Sequence, residues 1–86
     1  MRTVSFHASA WHDFTDLAER EPKLFERLVR LNNETARDPF TGIGKPEPPR
    51  HQMKGWWSRR INDEHRLVYR VTEDAIIVAA CRMHYE

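Results

Sequence analysis

An intrachain disulfide is closed to this sequence, which has one cysteine, Cys81. One thiol makes no intrachain bridge, and its apolar surroundings in IIVAACRM read as core. No apolar run approaches the roughly 20 residues of a membrane-spanning helix. The opening MRTVSFHASAWHD has no long apolar stretch of the kind that exports a protein. Together these point to a reducing, cytoplasmic setting and no membrane partner. The five histidines show no close paired spacing of the sort that cages a metal, so neither metal nor cofactor is expected. Charge of one sign is lacking too: the net charge is +1, which by itself implies no anionic partner.

Eighty-six residues bound the chain to one domain, residues 1–86, which buries about 60–65 % of its unfolded surface. With 40 % hydrophobic and 31 % charged residues it is not a disordered composition. Arg2 to Phe6 alternates as a short strand. SAWHDFTDLAER places Trp11, Phe14, Leu17 and Ala18 at helical spacing, with Ser9 as N-cap. Pro22 suits the first turn of a second helix, in which Leu24, Leu28 and Leu31 form one stripe, flanked by Phe25 and Val29, and the polar remainder faces solvent. After Gly55 the period switches to two. WWSRRIN, HRLVYRVT and AIIVAACRMHY read as strands joined by the polar turns Asn62-Asp63-Glu64 and Thr72-Glu73-Asp74, an antiparallel meander. The fold class is α+β: an antiparallel β-sheet with an N-terminal αα-hairpin packed on one face. Strands that follow one another without crossover helices exclude a doubly wound fold.

Between helices and meander lies PFTGIGKPEPPRHQMKG, with all three glycines and four of the five prolines. A loop this long in a small domain is usually functional. Within it Glu47 stands between prolines, with Lys45 before it and Arg50 and His51 after. Charge is local here: Lys45, Arg50, Lys54, Arg59, Arg60 and Arg66 face only Glu47, Asp63 and Glu64 between positions 45 and 66, a basic segment suited to an anionic partner. Strand parity puts Leu67, Tyr69 and Val71 against the helices and Arg66, Val68 and Arg70 on the other face. It puts Arg82 and His84 on one face, which also carries Arg66 if the strands keep one register.

RNA cleaves when its 2′-hydroxyl attacks the adjacent phosphorus and the 5′-oxygen leaves. A base, an acid and a cation accelerate the step without metal. Glu47, Arg66 and His84 have the chemistry for these roles: a carboxylate, a planar guanidinium that matches phosphate, and an imidazole that titrates near neutrality. The residues alone leave other readings open, His84 as an exposed terminal residue and Arg66 as the partner of Glu64 or Glu73.

GKPEP, GWWSRRI, DEHRLVYRV and AACRMHY, in this order and spacing, resemble the YoeB/Txe family of bacterial toxins, relatives of RelE in type II toxin–antitoxin modules. The motifs run from Pro39 to Tyr85, and the preceding strand and helices fit the family topology. The resemblance implies a ribosome-dependent endoribonuclease that cuts mRNA in the ribosomal A site and leaves a cyclic phosphate. It implies Glu47 as general base, Arg66 as transition-state stabiliser and His84 as general acid, with Lys45, His51, Arg59 and Tyr85 along the RNA. It also implies a homodimer and a YefM-like antitoxin whose disordered C-terminal segment folds over the cationic cleft and the apolar Ile76 and Val78 beside it. The departures are Asp63 before Glu64, Trp56 for a commoner phenylalanine, Met83 where an aromatic is frequent, and Glu86 beyond the usual terminal tyrosine. A ParE-like toxin that binds gyrase without cutting RNA, or an inert RNA-binding domain, is the alternative.

Overall fold

Two amphipathic helices need one apolar surface to cover, and four strands supply it. The computed structural model describes residues 1–48 and 55–84, the last two by backbone alone. The elements are β1 (Thr3–Phe6), α1 (Ala8–Arg20), α2 (Pro22–Arg37), β2 (Trp56–Arg60), β3 (His65–Val71) and β4 (Ala75–His84). Pro22 opens α2, where its missing N–H is no loss, and Glu21 separates the helices, its N–H closing α1 onto the Leu17 carbonyl. His7, not Ser9, takes the N-cap position of α1 and makes no side-chain cap bond, so α1 starts one residue before Ser9.

The strand order is β1-β4-β3-β2. β2, β3 and β4 form the expected antiparallel meander, whereas β1 runs parallel to β4, pairing Thr3 with Ala75 and Phe6 with Val78. The sheet is therefore mixed. A four-residue strand joined to the rest only through helices carries no turn that sets its direction, so local sequence does not specify it. Backbone bonds from Arg2 to the Ala36 carbonyl and from Thr3 to the Asp74 carbonyl fix it in place.

Leu17 of α1, Leu28 and Leu31 of α2, Leu67 and Tyr69 of β3, and Ile76, Val78 and Cys81 of β4 are fully buried between helices and sheet. The polar side of α2 is not all solvated: Asn32 and Thr35 are buried and donate back to the Leu28 and Leu31 carbonyls of their own helix. Among the described residues, no helix covers the other face of the sheet.

β4 does not keep one register against β3. Tyr69 pairs with Val78, Val68 with Ala80 and Arg66 with Met83, so an extra residue enters β4 twice. Each shift reverses the parity of the residues beyond it. Ile76 and Val78, expected beside the open cleft, are core residues, paired with Val71 and Tyr69. After the shifts, Arg82 turns toward α1, where it meets Asp16 at 2.9 Å and Asp13 at 3.5 Å. It does not share a face with Arg66. His84 pairs with His65, so the unbroken alternation that set it beside Arg66 does not hold.

Candidate active site

The open face reads as three rows across the sheet. Ser5, Ile77, Arg70 and Trp56 form the first, Ala80, Val68 and Ser58 the second, and Arg66 and Arg60 the third. Glu47 extends the second row. Its backbone pairs with Ser58 in an isolated antiparallel bridge, both N–H···O bonds being 3.0 Å. The carboxylate then meets Arg66, with Nη2 donating to Oε1 at 2.5 Å. Ser58 holds the same guanidinium through its hydroxyl, which accepts from Nε at 3.2 Å and from Nη2 at 3.0 Å. The Arg66 side chain is sunk into the face at 10 % exposure, while that of Glu47 remains 49 % exposed. The result is a fixed cation and an accessible carboxylate side by side.

The loop reaches this point through three fastenings. Asp38 receives the N–H groups of Phe40 and Thr41 and the Thr41 hydroxyl, and these bonds hold its carboxyl below the usual carboxylate range. Tyr69 donates its phenol to the Pro39 carbonyl at 2.6 Å. The Gly44 carbonyl accepts from Arg60 at 2.7 Å. Gly44 has φ +81°, and a Cβ there would stand 2.9 Å from Leu31 Cδ2 and 3.0 Å from the Arg60 carbonyl oxygen, so no side chain fits. Prolines flank Glu47, but its placement comes from β2.

Arg59 is the core of these fastenings and is corrected from its expected place along RNA. It is 0 % exposed. Its guanidinium donates to the carbonyls of Asp38, Thr41 and Ile43 and to the Tyr69 hydroxyl. A side chain with no exposed surface and these internal partners has nothing to offer a phosphate. The signal was available: Arg59 has the parity of Trp57 and Ile61, which belong to the apolar side. Ser58 was the residue missed, and its alternation with Trp56 and Arg60 places it on the open face.

Lys45 is exposed on the same loop, in the left-handed region at φ 49°. The backbone of His84 lies opposite His65 at the end of β4. The side chain of His84, and all of His51 and Tyr85, lie outside the described residues. The structure thus brings together Glu47 and Arg66 of the expected set, adds Ser58 and removes Arg59. Among the described residues, no three His, Cys, Asp or Glu side chains gather as a metal cage would require. No helix there is long and apolar enough to cross a membrane.

Residues 6–85 match the family model of the YoeB-like toxin of bacterial type II toxin–antitoxin systems. The toxin YoeB of Mycobacterium bovis is 49 % identical over 85 residues, 99 % of this chain and 100 % of that one. A solved YoeB dimer from Staphylococcus aureus superposes with a TM-score of 0.91 at 35 % identity, covering 98 % of each chain. A YoeB–YefM complex from the same organism superposes at 0.87 with 35 % identity, covering 99 % of each. Two helices on one face of a four-stranded mixed sheet thus define a small α+β toxin fold. The chain belongs to the YoeB-like toxins of bacterial type II toxin–antitoxin systems.

Proposed function

We propose that the open face is the active site of an endoribonuclease that cuts mRNA in the ribosomal A site. The observation that carries this reading is the Glu47–Arg66 pair: a half-exposed carboxylate bridged to β2 and a guanidinium held by Ser58 at 3.0 Å, on a face that also presents Arg60 and Arg70. Glu47 takes the 2′-proton. The 2′-oxygen bonds to phosphorus while the bond from phosphorus to the 5′-oxygen breaks. His84 gives its proton to that oxygen, leaving a cyclic phosphate and a 5′-hydroxyl. Arg66 gains its strongest interaction as charge builds on the phosphoryl oxygens. In the free protein Arg66 is engaged with Glu47. A phosphate entering the guanidinium's reach competes for that contact and releases the carboxylate to act as base. Lys45, exposed on the same loop, meets the RNA backbone in this reading, and His51 and Tyr85 complete the expected contact set.

The relatives solved as a dimer and as a complex with YefM support two further assignments. This chain forms a homodimer, and a YefM-like antitoxin lays an acidic segment over the cationic face, with Ile77 and Val68 as its apolar floor in place of Ile76 and Val78. Primer extension on mRNA translated with the purified protein tests the reaction. Cuts inside translated codons that vanish with Glu47→Ala are the expected result. Absence of cuts with the wild type overturns it and favours a ParE-like binding toxin. Sedimentation of the free protein tests the dimer.

A further inference from the structure

The two tryptophans that open β2 face opposite ways. Trp57 pairs with Tyr69 on the helix side and packs its ring 5.0 Å from Phe40, a structural role. Trp56 pairs with Arg70 on the open face, half-buried and away from the core. Its indole meets the ring of His7 at 6.3 Å between centroids and 76° between planes. His7 comes from the far edge of the sheet, where β1 passes into α1, so the contact spans the open face above the first row. The exposed Arg70, beside Trp56 in the ladder, reaches toward Gly55 at the start of β2, its Cγ and Nε each 3.9 Å from where a Cβ on Gly55 would stand. An indole flanked by a guanidinium and an imidazole, on a face with further cations, has the chemistry of a single-strand nucleobase platform: bases stack on the ring and cations follow the phosphates.

Position strengthens this. Ser58, the residue that holds Arg66, is two residues along β2 from Trp56 and on the same face. Same-face neighbours in a strand lie about 7 Å apart, comparable to the step between successive nucleotides in an extended strand. Edge-on contact with His7 braces the indole without covering it as a parallel ring would.

We infer that Trp56, braced by His7 and flanked by Arg70, stacks on the nucleobase next to the cleaved bond and so sets the register of the RNA across Glu47 and Arg66. This assignment rests on the nuclease reading. An antitoxin side chain is the competing occupant, and the cations around the indole favour the polyanion. Neither His7 nor Trp56 is required by the cleavage chemistry, so their effect falls on substrate placement.

The test is single-turnover cleavage on ribosomes programmed with mRNA that carries an abasic nucleotide one step to either side of the cut. At subsaturating protein, Trp56→Leu should slow cleavage of intact mRNA about 5- to 150-fold, the range of one base–aromatic stack. Trp56→Phe should recover most of it, and His7→Ala should give a smaller loss of the same kind. On one of the two abasic mRNAs, the wild type and Trp56→Leu should cut at equal rates. A loss of equal size on intact and both abasic mRNAs overturns the assignment, because it then has nothing to do with the base. So does undiminished cleavage by Trp56→Leu with only antitoxin binding impaired, which would give the platform to the protein partner. A wild type that cuts nothing sinks the nuclease reading as well, so the two failures are told apart.

Discussion

Arg59 and Arg66 lie directly across from Leu67 and Arg60, on neighbouring strands, and both are buried. They do opposite work. Arg59 faces the helices and commits its donors to three loop carbonyls and a phenol. Arg66 faces outward, held by the Ser58 hydroxyl and presented to the Glu47 carboxylate. One arginine builds the loop that carries the Glu47 carboxylate, and the other meets that carboxylate on the open face. Burial and charge are nearly the same in the two, so neither marks function. What separates them is the face, and whether the partners are backbone groups that must be satisfied or a side chain that substrate can displace.

The sharpest way to break this comparison is by activity. Glu47→Ala removes the carboxylate that Arg66 holds and should slow cleavage about 10²- to 10⁴-fold, as loss of a general base does. Its denaturation midpoint should shift little, since a half-exposed ion pair contributes about 0–1 kcal/mol. Arg66→Ala should lose both rate and RNA affinity, because a phosphate contact acts in the ground state and more in the transition state. Wild-type rates for Glu47→Ala would show that the bridged carboxylate is a loop residue only.

Arg59→Leu should fail in stability instead. It strips the donor from the part-buried carbonyls of Asp38, Thr41 and Ile43 and from the buried Tyr69 hydroxyl, and a buried polar group left unsatisfied costs about 1–3 kcal/mol. A loss of at least about 3 kcal/mol in urea unfolding is expected for a domain of this size. Arg59→Lys should not rescue it, as one ammonium cannot span these carbonyls. If Arg59→Leu unfolds like the wild type yet binds RNA poorly, Arg59 is a substrate contact after all.

The same contrast shows what was legible in the chain. The switch from a 3.6 to a 2 period gave the helical hairpin and the meander, because each buries one face. Arg59 was readable from the parity it shares with Trp57 and Ile61. The pairing of Glu47 with Arg66 was not, since the two are 19 positions apart with an irregular loop between them. Nor were the two extra residues in β4, which exchanged Ile76 and Val78 for Ile77 on the open face and carried Arg82 to α1. A bulge leaves no periodic signal, since apolar residues occur at both parities of AIIVAAC.

Cys81 extends the comparison to the helix side, where nothing should react. Burial pushes its thiol up to about 11, and its Sγ lies 3.4 Å from the Ala10 carbonyl. At neutral pH alkylation should follow opening of the α1–β4 contact rather than thiol chemistry. Labelling followed by mass should be far slower than in urea, and faster in Asp16→Ala, which loosens the Arg82 anchor beside it. Equal labelling rates, native and unfolded, would contradict the buried placement.

The smallest effect expected comes from Asp38, whose carboxyl is held below the ordinary range chiefly by the Thr41 hydroxyl, then by the Phe40 N–H. A carboxylate with a folded pKa lower than its unfolded value of about 3.9 contributes stability at higher pH, and loses it as pH falls through the folded value. Asp16 is lowered as well, first by its bond to Arg82, so two carboxylates act in the same direction. Stability should therefore decline below about pH 4. Asp38→Asn keeps an oxygen for the Phe40 N–H but cannot be protonated, so the slope of stability against pH should flatten there. Above that window the variant should be slightly less stable than the wild type. Urea midpoints taken through the acid range decide it. An unchanged slope would mean that Arg59 and Tyr69 fasten the loop without help from the Asp38 charge.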